Sequence, residues 1–136
     1  MASTRLFRDQ HEELKRLMGI LRVHLGGTAL GEEAFLAFKA YADKLREHLA
    51  MEDRGIYPRL LAHADEQVRL TAQIYQAEMG SLDRDFDAMA HRWDELARVQ
   101  ESPLAFTREM EAILDRLEQR MEREDHGLYA LVDRLQ

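Results

Sequence analysis

His48-Leu-Ala-Met-Glu52-Asp53-Arg54-Gly55-Ile56-Tyr57 and Arg120-Met-Glu-Arg-Glu124-Asp125-His126-Gly127-Leu128-Tyr129 close two helix-patterned stretches of the chain with one shared phrase, Glu-Asp-x-Gly-Ile/Leu-Tyr. A phrase repeated at the ends of two long periodic segments reads as two related helix pairs. Four residues before each repeated glutamate the copies differ: His48 in the first, Arg120 in the second. One half carries a metal-binding residue type at that position and the other does not.

Working outward, apolar residues recur at alternating spacings of three and four, the period of a helix with one buried face. The first helix is expected from about Thr4 to Leu25, with Phe7, Leu14, Met18, Leu21 and Leu25 on one stripe and Gly26-Gly27 stopping it. The second begins near Gly31-Glu32 and carries Phe35, Phe38, Tyr41, Ala42, Leu45 and Leu49 to about Tyr57, where Pro58 forces a kink or an ending. The third is expected over Asp65 to Val99 through Val68, Ala72, Tyr75, Met79, Leu82, Phe86, Met89, Trp93 and Leu96. Ser102 is placed to cap the fourth and Pro103 fits its first position. Phe106, Met110, Ile113, Leu117, Leu128 and Leu131 are its buried face. Short connections between four helices imply an all-α, antiparallel up-down-up-down four-helix bundle, one domain over residues 1–136.

Bulk properties narrow the chemistry. With 46% hydrophobic and 33% charged residues in 136, the chain suits one compact core. No cysteine is present, which removes disulfides, iron–sulfur clusters, thiolate zinc sites and cysteine nucleophiles, and leaves His and carboxylates as strong metal ligands. A net charge of -7 argues against phosphate-driven nucleic-acid binding. No apolar run approaches the roughly 20 residues of a membrane span, so the expectation is a soluble, cytoplasmic protein without membrane contact.

Charged residues avoid a bundle core unless paired or metal-bound, yet several stand on the apolar stripes. His11 falls between Phe7 and Leu14, His48 and Glu52 continue from Leu45, and Arg120 and Glu124 sit between Leu117 and Leu128. An i, i+4 His/Glu pair projects an imidazole and a carboxylate onto one helix face, within reach of one cation. By itself that spacing is a weak signal. Its buried register, its second copy and His11 on another helix strengthen it.

Through these residues the chain resembles the hemerythrin-like (HHE cation-binding) family. The resemblance spans essentially the whole chain and is strongest in His48-Leu-Ala-Met-Glu52-Asp-Arg-Gly-Ile-Tyr57-Pro58. It implies an antiparallel four-helix bundle whose interior holds two irons on histidines and bridging carboxylates. His11, His48, Glu52 and Glu124 match ligand positions of the family. Arg120 replaces the fourth-helix histidine. On the third helix the apolar spacing allows Met79, the offset between the repeats places Asp83 opposite His11, and Glu78 is a further candidate; none is a histidine. The resemblance therefore implies one half-site intact and the other stripped of its imidazoles.

Two readings follow. The first is a single metal on His11, His48, Glu52 and Glu124, iron foremost with manganese or zinc as alternatives, in sensing or in iron, oxygen or nitric oxide handling rather than reversible oxygen carriage. Arg120 is then the cation in the missing ion's place, expected to hydrogen-bond Glu52, Glu124 and Asp83. The second is a metal-free bundle with Arg120 ion-paired to the core carboxylates, acting as a regulatory or interaction module that forms a homodimer or binds a protein partner. No nucleophile–base arrangement is visible, so an enzyme assignment would rest on the metal alone. His24, His63, His91 and His126 are read as surface, loop or helix-end residues, and Trp93 as packing. Tyr57 and Tyr129 are expected to pack symmetrically at one end of the bundle, and Tyr75 to pack on the buried stripe within reach of a site carboxylate.

Overall fold

The computed structural model describes residues 4–25 and 31–135. Among these the chain is helical with no strand. Four long helices, α1 (Arg5–Leu25), α2 (Glu32–Gly55), α4 (Glu66–Arg92) and α6 (Pro103–Arg123), are joined through short helices α3 (Tyr57–Leu61) and α5 (Leu96–Glu101), and a π turn (Glu124–Leu128) leads from α6 into α7 (Tyr129–Arg134). Opposed contacts give the directions. Glu78, Asp85 and Arg92 of α4 meet Arg120, Arg116 and Glu109 of α6 in reverse order. Arg8, His11 and Arg22 of α1 meet Asp133, Asp125 and Asp115 likewise. Both pairs are therefore antiparallel.

The buried residues follow the stripes read from the sequence, and each large apolar side chain fully removed from water contributes about 1.5–3 kcal/mol. They form two clusters. The larger holds Phe38, Phe86, Trp93 and Phe106 and extends to Leu14, Leu49, Met79 and Met121; Phe106 meets Phe38 and Trp93 edge-on. The smaller gathers Phe7, Ile56, Tyr57, Leu60, Val68, Ala72, Leu128 and Tyr129. Along α1, α2 and α6 the buried polar residues His11, His48, Glu52, Arg120 and Glu124 fall between the two clusters. A polar layer thus separates two apolar ones.

Helix boundaries depart from the periodicity in two places. α2 ends at Gly55, with Ile56 as the break (φ -114, ψ -60), and Pro58 lies in the first turn of α3, where its missing N–H costs no helical bond. α4 ends at Arg92 rather than running to Val99, because Trp93 leaves helical geometry and Asp94 and Glu95 turn the chain before α5. The apolar register survives the interruption through Val99, which is why the pattern hid it. Ser102 precedes α6 but makes no side-chain cap bond, whereas Asp65 caps α4 by accepting from the Gln67 N–H at 2.9 Å. Phe35, Tyr75, Leu96 and Leu131 are half-buried rather than core. Gly26-Gly27 lies outside the described residues.

Near the two ends of the described chain, the Thr4 hydroxyl donates to Asp133 Oδ1 at 2.7 Å, and Arg8 reaches the other Asp133 oxygen at 3.1 Å. No helix among the described residues is long and apolar enough to cross a membrane.

Candidate metal centre

Within the polar layer, four residues from three segments converge: α1 gives His11, α2 gives His48 and Glu52, and the start of the π turn gives Glu124. All four are at most 2% exposed. One potential ligand atom from each lies within 4.8 Å of those of the other three. His11 Nε2 and His48 Nε2 are 3.0 Å apart. Each also stands 3.3 Å from a carboxylate, His11 from Glu124 Oε1 and His48 from Glu52 Oε1.

The outer side of each imidazole is fixed by its own partner. His48 Nδ1 donates to the Gln10 amide oxygen at 2.7 Å, and His11 Nδ1 donates to Asp125 Oδ1 at 2.9 Å. Gln10 is itself 5% exposed. These bonds select the tautomer in which the proton sits on Nδ1 and the Nε2 lone pair faces inward, the arrangement a metal-ligating histidine needs. Burial lowers the His11 pKa below its ordinary value despite the opposing pull of Asp125, which favours the neutral ring. The two Nε2 atoms then face each other at 3.0 Å.

The carboxylates are equally incomplete. Glu52 Oε2 accepts a hydrogen bond of 2.6 Å from the Tyr129 hydroxyl, while Glu52 Oε1 and Glu124 Oε2 are buried without a donor. His48 Nε2, though 3.3 Å from Glu52 Oε1, has no hydrogen to give once its proton is committed to Gln10. Burial, and then the negative charge of Glu52, hold Glu124 well above the usual carboxylate range. Two buried carboxylates and two imidazole nitrogens converging within 4.8 Å are the donor types a divalent cation takes, so the residues fit a metal ion.

Tyr129 completes the layer, and sequence reading did not assign it a role there. Its hydroxyl oxygen also lies 3.1 Å from His11 Nε2 and 3.4 Å from His48 Nε2. Tyr129 lies five positions after Glu124, which on a regular α-helix would turn them roughly 140° apart. The π turn accommodates the extra residue: the Tyr129 N–H bonds to the Glu124 carbonyl, and both side chains face inward. The first repeat handles the same Glu-to-Tyr spacing differently, by breaking at Ile56, whose N–H still bonds the Glu52 carbonyl at 3.0 Å. Tyr57 and Tyr129 are both buried in the smaller apolar cluster, but only Tyr129 hydrogen-bonds the centre.

The repeated glycine has a steric reason. A Cβ at Gly127 would lie 1.8 Å from the Tyr75 hydroxyl, and one at Gly55 would lie 3.2 Å from the Phe7 ring. In both halves the motif's glycine admits an aromatic ring against the helix end.

Arg120 is buried at 5% exposure, but its bonds differ from those expected. Nη1 donates to Glu78 Oε2 at 2.6 Å and Nη2 to the Tyr75 carbonyl at 2.7 Å, with the guanidinium 4.7 Å from the Tyr75 ring centre. It hydrogen-bonds neither Glu52 nor Glu124, nor Asp83. Its length carries the head past the carboxylates to α4, where Glu78, also bound by Arg123, collects it. Glu78 thus belongs to an arginine pair at the surface. Asp83 lines a cleft between α2 and α4 beside Asp53, and Met79 packs in the larger apolar cluster. The Tyr75 hydroxyl donates to the Arg123 carbonyl at 3.3 Å, not to a site carboxylate. His24 and His63 are half-buried and His91 and His126 exposed, all outside the four-residue group.

A family model described as hemerythrin HHE cation binding domain matches residues 2–132. Neither the curated proteins nor the solved structures give a significant match.

Proposed function

Because the chain belongs to the hemerythrin HHE cation-binding domain family, we propose that its core holds a single non-haem metal ion on His11, His48, Glu52 and Glu124. Iron comes first, with manganese or zinc as alternatives. The observation that carries this reading is the pair of imidazoles turned by Gln10 and Asp125 so that both Nε2 atoms face two under-satisfied carboxylates. Gln10 and Asp125 hold the ring tautomers, Tyr129 orients Glu52, and Phe7 lies against His48 with ring centres 6.3 Å apart. When bound, a redox-active ion supplies the electrons for reaction with oxygen or nitric oxide. The proposed role is sensing or low-turnover handling of iron, oxygen or nitric oxide. A small diatomic ligand and a cytoplasmic setting belong to the same proposal.

A metal-free module with Arg120 neutralising the core carboxylates is the competing reading. Its support is weaker, since Arg120 spends its bonds on Glu78 and Tyr75 and leaves Glu52 Oε1 and Glu124 Oε2 without donors. The deciding experiment is metal content by plasma mass spectrometry on protein expressed with added iron and manganese and purified without affinity tag or chelator. One metal per chain, lost in Glu52→Ala, is expected; none would overturn the proposal in favour of the metal-free module.

A further inference from the structure

A cleft of about 90 Å³ opens between α2 and α4 and runs inward to the polar layer. Its floor includes Glu52 and Tyr57, both at most 2% exposed. Glu52 Oε1 and the Tyr57 hydroxyl are each buried without a hydrogen-bond partner. Leu49 and Met79 line its sides, and Asp53 and Asp83 stand where it meets solvent. Glu52 and Tyr57 at the inner end, with Asp53, Gln76 and Asp83 nearer solvent, make a polar path past Leu49 and Met79.

Gly80 is the remaining informative residue of this lining. It lies well inside α4, where glycine costs roughly 0.5–1 kcal/mol relative to alanine. Its φ is not positive, and a Cβ there would meet only the Arg84 guanidinium, at 3.5 Å. Neither backbone geometry nor close packing calls for a glycine. The missing side chain does leave the cleft wide.

We propose that this cleft is the passage by which a divalent cation reaches the centre, with Asp53 and Asp83 drawing it in and Glu52 receiving it. This inference rests on the metal reading above. A negatively lined mouth between low-dielectric walls concentrates cations and raises their capture rate. The passage governs how fast the ion enters and leaves, while His11, His48, Glu52 and Glu124 govern how tightly it is held.

The test is stopped-flow uptake of Co(II) by chelator-stripped protein, followed through the visible absorption of the bound ion. The variants are D53N/D83N, G80L, and D9N/D43N, which removes the same charge from exposed positions on α1 and α2. Expected are uptake about tenfold slower in D53N/D83N at low salt, with a weaker salt dependence, and slower uptake together with slower chelator-driven release in G80L. Stoichiometry should be unchanged in all three. Wild-type rates in both D53N/D83N and G80L would overturn the passage while leaving the metal site standing, and so would an equal slowing in D9N/D43N. A wild-type chain that takes up no Co(II) would overturn the metal reading and the passage together.

Discussion

His11 and His48 present their Nε2 atoms to each other at 3.0 Å, each with its Nδ1 already engaged, one by Asp125 and the other by Gln10. The fold therefore brings two imidazole nitrogens and two buried carboxylates together, an arrangement that a shared cation would stabilise. Stability of the chain should respond to the presence of that ion.

A metal bound only by the folded state stabilises it by about 2.7 kcal/mol at a hundredfold excess over Kd, which raises Tm by roughly 10 °C in a chain of this size. Scanning calorimetry with Fe(II) under anaerobic conditions, repeated with excess chelator, should show that difference in the wild type and none in Glu52→Ala. Equal melting temperatures with and without metal in the wild type would argue against a native-state site.

Gln10→Leu removes the acceptor that fixes the His48 tautomer without touching a proposed ligand. Loss of such an outer partner typically weakens metal affinity 10- to 100-fold. Competition against a chromophoric chelator should report that loss while far-ultraviolet circular dichroism stays that of the wild type. Unchanged affinity would mean that His48 is held in place by packing alone.

Arg120→His restores an imidazole at the second repeat and withdraws the bonds to Glu78 and the Tyr75 carbonyl. If Arg120 stands in for a second ion, metal content in this variant should rise from one toward two per chain by mass spectrometry. No gain would count against that substitution of charge for metal.

Two glycines should respond to alanine with opposite signs. At Gly127 the new Cβ would fall 1.8 Å from the Tyr75 hydroxyl, and forcing that contact should cost about 1–3 kcal/mol. At Gly19, on the exposed face of α1, nothing lies within 4 Å, so alanine should add roughly 0.5–1 kcal/mol through helix propensity. Urea denaturation of the two variants checks both; equal effects would mean that the Gly127 site relaxes at no cost.

Much of the fold was legible because burial imposes the helical period directly on the sequence. Phe7, Leu14, Met18 and Leu21 announce α1, and the interruption of that stripe by His11 announces a polar layer. The turn at Trp93 to Glu95 escaped notice because Val99 keeps the register on the far side.

At the site, repetition and spacing singled out residues on a shared face, but partners that act across faces left little trace. Asp125 follows Glu124 directly, and neighbours in sequence normally diverge around a helix; only contact between elements brings Asp125 to His11. Gln10 meets His48 by the same route. Tyr129 did leave a signal, since the repeated five-residue interval from Glu to Tyr cannot keep both on one face of an unbroken α-helix. The bonds of Arg120 depend on side-chain reach, which periodicity does not encode.

The Thr4 hydroxyl bond to Asp133 has a topological consequence. With the first and last described turns fastened side by side, a short flexible peptide from one to the other would bridge only a small gap, and the helices would be indifferent to where the polypeptide is cut. A circular permutant opened at the exposed turn around Ala64 should then fold to the same bundle. The order of the helices in space would outlast their order along the chain.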